Sequence, residues 1–266
     1  MTICSREILV ATNLLLEAHL KSLGLRAFRE NYHKLAQEAA QANLDYERFL
    51  LALAEQEVAL RAANRRTRLI KQARFPILKE LTDFDFARLE SFRTRDLLQL
   101  ADTLSFLEQA EPILMVGNPG LGKTHLATAL GLAACRAGHK VRFFNTASLV
   151  DELALAQEEY RLQKVITSLL KHKLVILDEL GFIPFTTSGA NLLFQLCSAL
   201  HEQVSIIVTT NLAFSDWAGV FGSERLVGAL LDRLTYRSHI FEFRGESYRL
   251  LSQAGRSVQK EVTTAH

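Results

Sequence analysis

Apolar residues recur every three to four positions through the first seventy residues, for example at Leu50, Leu53, Ala54 and Val58, the spacing of helices that bury one face. This stretch holds a single glycine, Gly24, and no proline. The pattern breaks at Gly24 and again at Asn43-Leu44-Asp45, which predicts three helices with the third running on past Leu60. Beyond Pro76 the pattern changes. Leu81 to Asp85 reads as an extended approach, and apolar runs at 113–116, 141–144, 174–177, 204–209 and 239–243 then alternate with helical stretches. That alternation predicts an α/β fold, with a parallel five-stranded sheet and flanking crossover helices, attached to a small all-α N-terminal part. The expected organisation is a helical domain over 1–72, an α/β domain over 73–254 and a disordered tail over 255–266.

Between the first strand-like run and the helix expected over Lys123 to Arg136 lies Gly117-Asn118-Pro119-Gly120-Leu121-Gly122-Lys123-Thr124, which fits G-x-x-x-x-G-K-[S/T] at every fixed position. Leu126, Leu130 and Ala134 give that helix its apolar face and Gly138 ends it. Strand, glycine loop and helix together suit phosphate. The glycines let the backbone curl so that successive N–H groups face phosphate oxygens, and the helix N-terminus adds a favourable dipole. Lys123 then reaches the β- and γ-phosphates, and Thr124 offers a hydroxyl to Mg²⁺. His125 adjoins this nucleotide-binding set as a first-turn helix residue rather than a metal ligand.

The strand-like run Leu174-Val175-Ile176-Leu177 ends in Asp178-Glu179, so burial of the strand delivers two carboxylates to its carboxyl end, the ligand side of an open parallel sheet. Coming about sixty residues after a glycine loop, the pair reads as a Walker B motif. Asp178 is placed to hold Mg²⁺ through its water shell and Glu179 to polarise a water attacking the γ-phosphate. A further run, Val204 to Thr210, ends at Asn211. Such an asparagine either orients the attacking water or simply makes the turn.

Composition narrows the setting. The 266 residues, 48% of them hydrophobic, suffice for one nucleotide-binding core and a smaller appendage. Cys4, Cys135 and Cys197 are widely spaced, which indicates neither a disulfide framework nor a zinc site and suits a reducing compartment. No apolar run approaches the length of a membrane span and the start lacks a signal-peptide pattern, so a soluble, cytoplasmic protein with no membrane partner is expected. The net charge of +2 says little about partners, but its placement is uneven. Arg61, Arg65, Arg66, Arg68, Lys71, Arg74 and Lys79 follow one another with no intervening acid. Arg61, Arg65 and Arg68 share one helical face able to lie along a phosphate backbone; by itself such a block is equally a solvated helix face.

The order of glycine loop, Asp178-Glu179, a strand ending Thr209-Thr210-Asn211, Ser223-Glu224-Arg225, Leu231-Asp232-Arg233-Leu234 and Gly245-Glu246-Ser247-Tyr248-Arg249 resembles the AAA+ ATPases related to the replicative helicase loader DnaC. More narrowly it resembles the IstB-type ATPases that help insertion sequences transpose. The resemblance covers most of the chain and is looser in its N-terminal part. By position it implies that Asn211 is sensor 1, Arg233 the arginine finger and Arg249 sensor 2, with Arg225, two helical turns earlier, as the rival finger. It also implies a core without a full C-terminal lid, because fewer than twenty residues follow Arg249. A finger acts on a neighbouring subunit's nucleotide, so a homo-oligomeric ring or spiral is implied as well.

The expected function is that of an ATP- and Mg²⁺-dependent ATPase that assembles on double-stranded DNA and stimulates a partner transposase without cutting DNA itself. Its DNA contacts are expected from Arg61, Arg65, Arg66, Arg68, Lys71 and Arg74, chiefly to phosphates and tolerant of sequence. A helicase loader shares the ATPase core and is the alternative; it needs a protein-docking surface where this chain carries the basic run. A polypeptide-threading ATPase is disfavoured, since no aromatic-hydrophobic pore loop stands out between Asn145 and Lys173.

Overall fold

The computed structural model describes residues 3–245 and residue 247, and these fall into two compact units whose boundary lies between Thr67 and Arg68. The first unit contains the three expected helices, α1 (Ile3–Ser22), α2 (Arg26–Gln41) and the larger part of α3 (Tyr46–Ala73). Gly24 takes φ +67° at the first turn and Asn43 φ +50° at the second, left-handed conformations that glycine and asparagine tolerate best. The Asp45 carboxylate accepts the Arg48 amide at 2.7 Å and so starts α3. Leu20, Tyr32 and Leu53 form a small core, with Leu25, Phe28, Leu35 and Phe49 packed against it.

One buried carboxylate ties this unit together. Glu57 accepts from the Ala27 amide at 2.7 Å and from Arg61 Nε at 2.7 Å, while the Arg61 guanidinium also donates to the Gly24 carbonyl at 3.2 Å. Burial opposes ionisation of Glu57, but the bonds from Arg61 and from the Ala27 and Phe28 amides outweigh it and hold the acid below its ordinary range.

The second unit begins with the last turns of α3, where Leu69 and Ala73 are buried. In place of the expected extended approach over 81–85, two 3-10 turns occur, Leu81–Asp83 and Phe86–Arg88. The polar residues that break the apolar pattern cause them: Glu80 and Asp83 cap one turn reciprocally, and the Asp85 side chain accepts from the Ala87 amide at 3.2 Å. Then come α4 (Thr94–Thr103), α5 (Ser105–Glu108), β1 (Ile113–Gly117), α6 (Lys123–Arg136), β2 (Val141–Asn145), α7 (Thr146–Glu158), α8 (Leu162–Leu169) and β3 (Leu174–Asp178). They are followed by α9 (Thr187–Leu200), β4 (Ser205–Thr210), α10 (Trp217–Phe221), α11 (Glu224–Thr235) and β5 (His239–Phe243).

The five strands form the expected parallel sheet, in the order β2-β3-β4-β1-β5. Successive residues of a strand face opposite sides of a sheet, so each strand feeds two cores. Ile113, Met115, Phe143, Ile176, Ile207 and Phe241 meet α4, α6 and the segment around Phe84 and Phe92. Leu114, Phe144, Val175, Leu177, Ile206 and Val208 meet α7 to α11. With both faces covered, only the strand ends remain open for function. Residues 248–266, which include Arg249 and the expected tail, lie outside the described residues.

Candidate functional site, a nucleotide cavity at the strand ends

The strand order decides which loops meet. β4 lies between β3 and β1, so the glycine loop after β1 and the acids after β3 sit two strand spacings apart, roughly 10 Å, with the end of β4 between them. A cavity of about 590 Å³ opens there. Its polar side holds Lys123, Thr124, Glu179, Thr209, Thr210 and Asn211, and its apolar side Ile77, Phe84 and Leu89.

Close approaches require glycine at both ends of the glycine loop. At Gly117, φ +147°, a Cβ would collide with the Phe243 carbonyl on the paired strand β5; at Gly122, φ +91°, it would collide with the Phe84 ring. Only a bare backbone can turn this tightly against β5 and the ring that walls the cavity. Pro119, Gly120 and Leu121 line the cavity too, while Gly117 and Asn118 supply carbonyls that accept from Lys123 Nζ at 2.5 and 2.8 Å. His125 also lines the cavity, its ring nitrogen 2.8 Å from the Glu80 carbonyl and its ring in a T-shaped contact with that of Phe84. The histidine therefore buttresses the cavity wall.

Asp178 is the most heavily engaged polar residue here. Its Oδ1 accepts from Thr124 Oγ1 at 2.8 Å and from Thr209 Oγ1 at 2.5 Å, and its carbonyl accepts from Thr146 Oγ1 at 2.8 Å. Thr209 Oγ1 in turn accepts from the Glu179 amide at 2.9 Å. Glu179 takes φ +58°, an unusual conformation for a side-chain-bearing residue, and its carboxylate accepts from Asn145 Nδ2 at 3.0 Å at the end of β2. Hard oxygen donors from one hydroxyl and one carboxylate suit a nucleotide-borne Mg²⁺, which needs few protein ligands. Thr124 and Asp178 are the residues that would hold it. No larger cluster of potential metal ligands exists among the described residues.

Burial raises the Asp178 pKa and the Glu179 charge adds to the rise, while Thr209, Thr124 and Lys123 oppose it; the net displacement is upward. A raised carboxylate contributes stability below its unfolded pKa, near 3.8, and loses that contribution as pH climbs through the folded value. Asp178→Asn keeps an acceptor for both threonines and carries no charge. In the absence of nucleotide, the melting temperature of this variant relative to wild type is expected to rise from about pH 3, below the unfolded value, to neutral pH, by roughly 2–4 °C per kcal/mol. Melting curves at the two pH values check this, and a difference independent of pH would show that the buried charge is not strained.

Thr209 and Asn145 escape the sequence reading. Thr209 is signalled only as a buried polar residue in an apolar strand. Asn145 also caps α7 by accepting from the Ser148 amide, so it reads as a helix start. Cys135 and Cys197 are buried, and burial pushes their thiols up to about 11 and about 12, too high for nucleophiles near neutrality. Arg233 does not line the cavity of its own chain: it donates to the Ala229 carbonyl at 2.6 Å and lies 4.9 Å over the Phe194 ring. Arg225 is exposed in the first turn of α11. Arg66, Arg68, Lys71 and Arg74 are exposed along and just after α3, as is Arg65, whereas Arg61 is engaged with Glu57 and Gly24. Among the described residues no helix is long and apolar enough to cross a membrane.

A family model described as IstB-like ATP binding protein matches residues 18–255. A protein of Pseudomonas aeruginosa, named as an ATP-binding protein of insertion sequence IS21, is 37% identical over 249 residues, 94% of each chain. Another from Geobacillus stearothermophilus, named as an ATP-binding protein of insertion sequence IS5376, is 37% identical over 228 residues, 86% of this chain and 90% of that one. Among solved structures, AMPPCP-bound DnaA from Aquifex aeolicus superposes with a TM-score of 0.54 over 64% of this chain and 51% of that chain; at 18% identity this is a likeness of fold, that of an AAA+ P-loop core. With a family model spanning most of its length and relatives of this identity along nearly all of it, the chain belongs to the IstB-like ATP-binding protein family.

Proposed function

We propose that this protein hydrolyses ATP to control its own assembly on duplex DNA and, in that assembled state, stimulates a partner transposase and helps select the target of an insertion sequence. The observation that carries this reading is the meeting of Lys123, Thr124 and Glu179 at one cavity, with the buried Asp178 bonded to Thr124 behind its wall, in a chain whose near-full-length relatives are insertion-sequence proteins. Lys123 and the loop amides bind the phosphates, and the apolar wall of Ile77, Phe84 and Leu89 receives the base. Thr124 and Asp178 would hold Mg²⁺, which would offset phosphate charge. Glu179 and Asn211 position and polarise water. Residues 73–254 form the ATPase domain, and residues 1–72 serve DNA binding and assembly. Arg65, Arg66, Arg68, Lys71 and Arg74 meet phosphates, and Arg61 supports them by fixing the helix from which they project. Arg249 is assigned as sensor 2 by its motif alone.

The test compares the binding of labelled duplex DNA, and sedimentation, with ATP, with ADP and for Glu179→Gln with ATP. Large DNA-bound assemblies are expected with ATP and with the variant, and weaker ones with ADP. The affinity should fall steeply with salt, since each neutralised phosphate contributes about 0.9 to the logarithmic slope. A protein that stays monomeric and free of DNA in all three states sinks the proposal.

A further inference from the structure

We propose that the ATPase unit carries its own phosphate-binding surface, built from the residues that start β2 and β3 together with the end of α3, and that it holds the backbone of duplex DNA. This inference rests on the DNA-binding reading above, shares Lys71 and Arg74 with it, and extends the contact onto the starts of β2 and β3. β2 is an edge strand, so its start lies at the rim of the sheet. The backbone joins the two strand starts there, with the Lys173 amide donating to the Lys140 carbonyl at 2.9 Å. Arg142 reaches from β2 to the end of α3 and donates to the Gln72 carbonyl at 3.2 Å. Lys71 precedes that glutamine and Arg74 follows it by two residues, while Lys171 lies three residues before the first residue of β3.

Six cations, Lys71, Arg74, Lys140, Arg142, Lys171 and Lys173, are thus carried on neighbouring segments of one rim. Five are exposed and Arg142 is half-buried. None of the six forms an ion pair among the described residues. Burial holds the Arg142 guanidinium below its ordinary range and the charge of Arg74 lowers it further, with Glu152 as the offsetting acid. His172, between two of the lysines, is lowered first by burial; the Leu169 and Ser168 carbonyls oppose this, and Arg142 and Lys140 add to it. Like charges gathered without ion pairs work against folding and are relieved by a polyanion, whose condensed counterions are released on contact. None of the six lines the nucleotide cavity, and they are spread over a helix end and two strand starts. Such a spread fits an extended phosphate chain better than a single small anion.

The test is the triple variant Lys140→Ala, Lys171→Ala, Lys173→Ala, in the full-length protein with ATP. All three lysines are exposed, none lines the cavity, and they lie at the starts of β2 and β3, the ends opposite the acid pair, so ATP hydrolysis without DNA should match wild type. The affinity for duplex DNA should fall at least about tenfold, and the slope of log affinity against log salt should lessen by about 2–3, one contact per lysine. Arginine at the same three positions should restore both. Wild-type affinity and slope in the alanine variant would overturn the proposal, as would a loss seen only with vesicles of anionic lipid. If wild type itself binds no duplex DNA with ATP, this inference falls together with the DNA-binding function; if wild type binds and the variant binds equally, this inference falls alone.

Discussion

Glu179→Gln is expected to bind ATP with near wild-type affinity and to hydrolyse it about 10²–10⁴-fold more slowly, the range that loss of a general base produces. The groups expected to hold phosphate, Lys123 and the loop backbone, are untouched by this change. Glutamine also preserves the shape of the side chain and still offers an oxygen to Asn145 Nδ2, now 3.0 Å from the carboxylate. What it cannot do is take a proton from water. The backbone at Glu179 is held in its left-handed conformation from both sides, by the bond from its amide to Thr209 Oγ1 and by the bond from the Leu180 amide to the Thr209 carbonyl at 2.9 Å. This support aims the carboxylate at the cavity while Asp178, one residue earlier, stays buried. Fluorescent-nucleotide titration gives the affinity and single-turnover hydrolysis the chemical step. A turnover within tenfold of wild type would remove Glu179 from the role of base.

The strands and the glycine loop were readable in advance because their physical requirements are local. Four or five consecutive apolar residues can be satisfied only inside the sheet, and the glycines of the loop answer to φ values and close approaches that other residues resist. What escaped depends on which strands lie side by side. That Thr209 ties Asp178 to the backbone of Glu179 follows from β4 lying next to β3, and no spacing along the chain records it. The 3-10 turns over 81–88 escaped for another reason. Phe84 and Phe86 read as strand-like residues, but neighbouring acids cap the backbone into turns and the rings pack against each other and His125. Arg61 shows the limit of reading charge from sequence. It lines up with Arg65 and Arg68 on a helical face, yet a buried glutamate one turn earlier claims it.

Arg233→Ala is expected to retain ATP binding and to lose turnover by about 10³-fold or more, the range associated with an arginine finger. Arg233 lies off the cavity of its own chain, so as a finger it would have to act on the ATP of a neighbouring subunit. α11 is suited to present it there: Val227, Leu230 and Leu234 bury one face, while the Ala229 carbonyl and the Phe194 ring hold the guanidinium near the surface of the helix. A head-to-tail assembly makes a sharper prediction than single variants do. Arg233→Ala keeps an intact pocket and Lys123→Ala keeps an intact finger, so neither hydrolyses ATP alone. Mixed in equal amounts they restore roughly one competent interface in four, and hydrolysis should return in that proportion. Without the recovery, the site is not shared. If Arg233→Ala hydrolyses ATP normally while Arg225→Ala does not, the finger belongs to the exposed first turn of α11, about 12 Å along the same helix. If either arginine proves to be the finger, ATP is hydrolysed only where two subunits meet, which is the condition that the proposed nucleotide-controlled growth and disassembly on DNA requires.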